Sequence, residues 1–212
     1  MIDYKQIKLI NYVINPDNFR DLNNFKELLN SLITSKHKLH VFPEFFLLPL
    51  IFFYETDLKN EALSQQVKKY IWQHKKEILS LIIKHTPNLN GAFLIHRTQK
   101  IISQIIPLFA KLAHKNKTFI YTWTWFSPFW DWEPIKNWYM PLGHNLLNTW
   151  YLFGETGMLL GTSTKQRITL QEKKFNITPN PWLSNVFETS IWKLGIFLNF
   201  LLPLLSLLLS LL

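Results

Sequence analysis

Apolar positions along this chain follow two rhythms, and the two alternate. Residues 7–14 (Ile-Lys-Leu-Ile-Asn-Tyr-Val-Ile) are β-branched and apolar and predict a first buried strand. Asn15-Pro16-Asp17-Asn18 is turn chemistry. Phe25, Leu28, Leu29 and Leu32 then recur at helical spacing, with Asp21 or Asn23 available as the cap. Residues 39–42 predict a second short buried strand, which Pro43 stops because proline has no N–H for a ladder. Strand, helix, strand over this length is a βαβ unit with parallel strands. An apolar stretch at 47–54 is too short to span a bilayer. Residues 58–85 carry a helical stripe, 87–91 read as a turn, 92–96 as a short strand, 101–115 as a helix and 118–124 as a strand.

The alternation then breaks. Residues 123–139 crowd Trp123, Trp125, Phe126, Phe129, Trp130, Trp132, Trp138 and Tyr139 around Pro128 and Pro134, and predict a long loop. Such a loop is either an aromatic lid or partner surface, or an insertion whose rings tuck against the domain's own core. Beyond it, 149–152 reads as a strand, Glu155-Thr156-Gly157 as a hairpin turn and 158–160 as the return strand. Strands are also expected at 186–187 and 194–198. The fold class is α/β.

Composition narrows the chemistry. The 212 residues include no cysteine, which excludes disulfides, thiolate metal sites and a thiol nucleophile within them. The net charge of +9 is spread over scattered lysines with no basic stripe, so nucleic acid is not an expected partner. His144 has no second histidine at ligand spacing, so no metal is expected there. No secretory signal is expected, because the first six residues include Asp3 and lack an apolar core. Glu44 is different. It follows directly on a strand's end, among apolar neighbours, where desolvation raises a carboxyl pKa and suits it to proton transfer. The plainer alternative is a surface glutamate that merely ends a strand.

Four segments, in order, resemble the carbon–nitrogen hydrolases of the nitrilase superfamily. They are the opening strand–helix–strand; Val41-Phe42-Pro43-Glu44; the hairpin from Asn148 through Gly154, Gly157, Gly161 and Lys165 to Glu172; and Phe187 through Gly195-Ile196-Phe197-Leu198 to Asn199. The resemblance implies a nitrilase-like αββα sandwich, incomplete at its C-terminus. It spans residues 1–200, with the aromatic insertion at 123–145 and a leucine-rich tail at 201–212. It also implies roles. Glu44 would be the acid/base, Lys165 the stabiliser of an anionic tetrahedral intermediate, and Glu172 a supporting carboxylate, acting on an amide or nitrile without a cofactor.

At the nucleophile's position stands Asn199, and a carboxamide does not attack carbon. The family's next acid is replaced by Leu201. The expectation is therefore a protein that keeps the glutamate and lysine but is catalytically inactive. Two alternatives stay open: a binding or scaffold protein, as a homo- or hetero-oligomer, docking through the aromatic segment, and a membrane-attached protein. Residues 194–212 are uncharged and just long enough for a spanning helix, although Pro203 interrupts them. The expected location is the cytoplasm, with membrane attachment through 194–212 as the variant.

Overall fold

The computed structural model describes residues 7–43, 46–55, 62–84, 88–133, 138–165, 186–188 and 193–195, together with Ile168, Leu170, Lys173 and Ile177, with 123–145, 186–188 and 193–195 described by their backbone. The chain is α/β. Strands β1 (Ile7–Leu9), β2 (Leu39–Val41), β3 (Phe119–Glu133), β4 (Trp138–Phe153) and β5 (Leu159–Thr164) form one sheet in that order. β1, β2 and β3 are parallel, whereas β3–β4 and β4–β5 are antiparallel.

Helix α1 (Leu22–Leu32) links β1 to β2 and is capped by Asp21, whose carboxylate accepts from the Asn24 N–H at 2.9 Å. Asn23, the other cap candidate, lies inside the helix. Phe25, Leu28 and Leu29 form the buried stripe read from the sequence. Between β2 and β3 come α2 (Leu48–Phe53), α3 (Leu63–Gln73), α4 (Lys75–Lys84) and α5 (Leu89–Asn116). Helices α1, α2 and α5 lie over one face of the sheet. There Phe25, Phe42, Phe46, Phe109, Ile120, Tyr151 and Phe153 share a continuous core.

The opposite face carries a smaller cluster of Leu39, Phe119, Tyr121, Trp150 and Leu152. The two faces follow from strand alternation, since paired residues point the same way and successive ones point apart. His40 is fully buried on the helix-covered face, between Thr34 and Thr118.

Several elements depart from the sequence reading. β1 stops at Leu9, and Leu9 and Val13 are exposed; among the described residues β1 has a strand neighbour on one side only. The strand expected at 92–96 is part of α5: the Asn88 side chain accepts from the N–H groups of Asn90 and Gly91, so the expected turn is a helix start. Ala92 to Ile95 are all buried, which a helix inside the core satisfies as well as a strand.

The expected loop at 123–139 is instead made largely of the arms of β3 and β4, whose pairing continues out to Glu133 opposite Trp138. Aromatic residues favour extended backbone, and the register shifts between Thr122 and Trp125 and again between Pro128 and Trp130. The strand expected at 194–198 is observed over its first two residues in β7 (Lys193–Gly195). It pairs antiparallel with β6 (Val186–Glu188) in a separate two-stranded sheet.

The β4–β5 turn is as read. The Gly157 N–H donates to the Gly154 carbonyl at 2.8 Å, and Gly157 has φ +82°. A Cβ at Gly157 would stand 2.7 Å from the Ala110 carbonyl oxygen of α5. Gly157→Ala is therefore expected to cost about 2 kcal/mol, from left-handed backbone plus a clash with backbone that cannot yield. A lowered urea midpoint measures it, and an unchanged midpoint contradicts it.

Candidate functional site

The site predicted from the sequence depends on which strand ends meet. β2 and β3 run parallel, β4 runs against β3, and β5 against β4, so β2 and β5 point the same way. Their carboxyl ends therefore lie along one edge of the sheet. At the end of β2, the Phe42 N–H donates to the Tyr121 carbonyl at 3.0 Å, and Pro43 follows. At the end of β5, the Lys165 N–H donates to the Asn148 carbonyl at 2.9 Å, which extends the β4–β5 ladder by one residue. β2 and β5 are three strand spacings apart, about 14 Å at the backbone. Groups on the two ends meet only if the segments after the strands turn toward each other.

Glu44, Glu172 and Asn199 lie outside the described residues, as does the run from 196 onward. Of the four positions, Lys165 is the one described. It is 5% exposed, and lysine is rarely buried to that degree unless it is paired.

Alternation places Lys165 on the face opposite the helices, with Ser163 two residues before it and Asn148 beside it in β4. Trp150, opposite Ser163, and Tyr121 of β3 share that face. Asn148, Trp150, Ser163 and Tyr121 are each at most 2% exposed. Burial pushes the Tyr121 phenol well above its ordinary range, so the group is a neutral hydroxyl. This face of the sheet thus carries an ammonium, two hydroxyls, a carboxamide and an indole N–H. These are groups that donate to an anionic oxygen.

The family resemblance singled out Lys165; Tyr121, Asn148 and Ser163 were not among the site residues it implied. The available signal was period two: Asn148, Trp150 and Leu152 on one arm, Ser163 and Lys165 on the other.

No group of three or more metal-ligating side chains occurs among the described residues. No helix among them is long and apolar enough to cross a membrane.

No protein-family model and no curated protein matches this chain. Solved structures do. The chain is similar to the crystal structure of a carbon–nitrogen hydrolase from Helicobacter pylori G27, with a TM-score of 0.48 and 17% identity over 89% of this chain and 48% of that one. It is also similar to an amidase from Nesterenkonia sp., with a TM-score of 0.42 and 14% identity over 89% of this chain and 53% of that one. The chain spans about half the length of these two proteins.

Proposed function

We infer that the chain carries the binding part of a carbon–nitrogen hydrolase-type site, recognising an amide or nitrile, without the covalent step. The observation that carries this reading is the buried Lys165 at the carboxyl end of β5, on the same edge as the strand that leads into Glu44. An ammonium held there, with the Ser163 hydroxyl and the Asn148 carboxamide on the same face, polarises a carbonyl oxygen toward negative charge. Glu44 would exchange protons with the bound group. Attack on carbon needs a nucleophile, and the 212 residues offer no thiol, with Asn199 where the family likeness places one. Binding and polarisation are retained in this reading, and turnover is not.

The expected result with a panel of simple amides and nitriles is no ammonia release above background, unchanged in Glu44→Gln. Saturation-transfer NMR is expected to show amide binding that Lys165→Met weakens by about tenfold. Turnover that Glu44→Gln abolishes would show that a nucleophile had been missed. Amide binding indifferent to Lys165→Met would remove the site itself.

A second reading, a protein that docks through its aromatic segment, is favoured by one feature of the sheet. β2 pairs with β3 only as far as Tyr121, and β5 pairs with β4 from Thr149, while β3 and β4 continue together to Glu133 and Trp138. The backbone beyond those points forms a ribbon of two named strands, in which aromatic residues are concentrated. Self-association that is lost when residues 126–145 are replaced by a short turn would support docking over ligand binding.

A further inference from the structure

Another concentration of charge lies among the helices, in a cleft of about 340 Å³ lined by α2, α3 and α5; no strand residue lines it among the described residues. Its apolar surface comes from Phe52, Phe93 and Tyr70, with ring centroids 6.3 Å apart for Phe52–Phe93 and 5.7 Å for Tyr70–Phe93. Arg97 is 3% exposed; its Nε donates to the Ile51 carbonyl at 2.9 Å and its Nη2 to the Tyr54 carbonyl at 2.5 Å. These bonds fix the guanidinium against the C-terminal end of α2 and compensate its burial. The same guanidinium lies 4.5 Å from the Tyr70 ring centroid. Arg97 is thus a fixed positive charge in the wall of the cleft.

Lys100 lies one helical turn further along α5. Its Nζ meets Glu55 Oε2 at 2.6 Å, and the two side chains are 42% and 49% exposed. Glu55 has φ +55°, a left-handed backbone that a residue bearing a side chain seldom adopts. Strained positions of this kind concentrate at ligand sites. Tyr70 and His96 share a hydrogen bond of 2.8 Å. Burial raises the Tyr70 phenol, and burial together with His74 lowers His96, so both are neutral at pH 7.

We propose that this cleft binds a small carboxylate with an apolar body. The ligand's carboxylate takes the place at Lys100 where the Glu55 carboxylate now stands, in the cleft that Arg97 also lines, and its body lies over Phe52, Phe93 and Tyr70. The volume is at the small end of ligand pockets. An ion pair as exposed as Lys100–Glu55 contributes little, so replacing one carboxylate by another is nearly balanced in charge. The apolar body, which Glu55 lacks, then supplies the preference for the ligand.

Benzoate is the probe, titrated calorimetrically into the full chain, with methyl benzoate and inorganic phosphate as controls. Benzoate is expected to bind, and each control to bind more weakly by about tenfold or more. Lys100→Met should weaken benzoate by about tenfold, and Glu55→Gln should tighten it several-fold by freeing the lysine. No benzoate binding would overturn the proposal. So would equal binding of methyl benzoate, which would make the cleft merely apolar, or equal binding of phosphate, which would make it merely cationic. Weaker binding in Glu55→Gln would overturn the exchange of carboxylates. Both side chains are about half exposed, and if Lys100→Met fails to fold, the direction of the Glu55→Gln change decides alone.

Discussion

Phe109→Ala is expected to lower the unfolding free energy by about 4 kcal/mol, enough to unfold a protein of ordinary marginal stability in mild denaturant. Phe109 is 1% exposed and sits where α5 crosses the sheet. Its ring centroid is 5.7 Å from Phe42 of the segment after β2, 5.9 Å from Phe153 of β4, and 6.4 Å from Phe25 of α1. These rings come from four separate parts of the chain, so no single side chain can shift to fill the space left by alanine. The lost transfer energy and the residual cavity therefore add. Phe109→Leu keeps most of the volume and should cost less than half as much. Equal urea midpoints for Phe109→Ala and the parent would mean that α5 does not pack on the sheet as described.

The second large effect is acid destabilisation through His40. The Thr34 N–H donates to its Nε2 at 3.2 Å, so the neutral ring carries its proton on Nδ1. Nδ1 lies 3.0 Å from Thr118 Oγ1, whose hydroxyl in turn donates to the His37 carbonyl at 2.7 Å. This relay ties α1's exit, β2 and the start of β3 together, and it accommodates only the uncharged imidazole. Burial first, then the charges of Lys8 and His37, push His40 down from 6.5 to about 4.

The sign follows from proton uptake. Below pH 6.5 the unfolded chain takes up a proton that the folded chain refuses until about pH 4, so stability is complete above 6.5 and falls across that window. The total loss is about 3 kcal/mol, and below about pH 4 this group contributes no further slope. Most carboxylates titrate near or below the lower edge of that window. Urea midpoints between pH 7 and 4.5 measure the effect, and His40→Gln should flatten the slope. A parent protein equally stable at pH 7 and pH 5 would remove His40 from this role.

Asp21, the apolar stripe of α1, Pro43 and the Gly154–Gly157 turn could be read from the chain because each acts through neighbours within a few residues. A cap needs a carboxylate before a helix, a ladder stops at a missing N–H, and a tight turn needs a residue that tolerates positive φ. Lys165 was singled out by the family resemblance and not by a local rule, since the return strand read at 158–160 runs on to Thr164. Together these local rules determined an α/β chain opening on parallel strands.

Residues 92–96, 123–133 and 193–195 obeyed no such rule. A four-residue apolar run looks alike as buried strand or buried helix, and Asn88 together with packing inside the core made 92–96 helical. The tryptophan-rich segment has no clean alternation. Pairing with the arm that returns at Trp138 held it extended, with the irregularity absorbed by two register shifts. The strand expected at 194–198 reads as apolar, yet its described part, Leu194 and Gly195 in β7, has β6 as an antiparallel partner, because a strand's own residues state what it buries and not what it pairs with. The same limit hid both polar sites. Asn148 and Ser163 share a face with Lys165, and Glu55 meets Lys100, across sequence gaps that only the tertiary structure closes, since charge and hydrogen bonding act through space and leave no period along the chain.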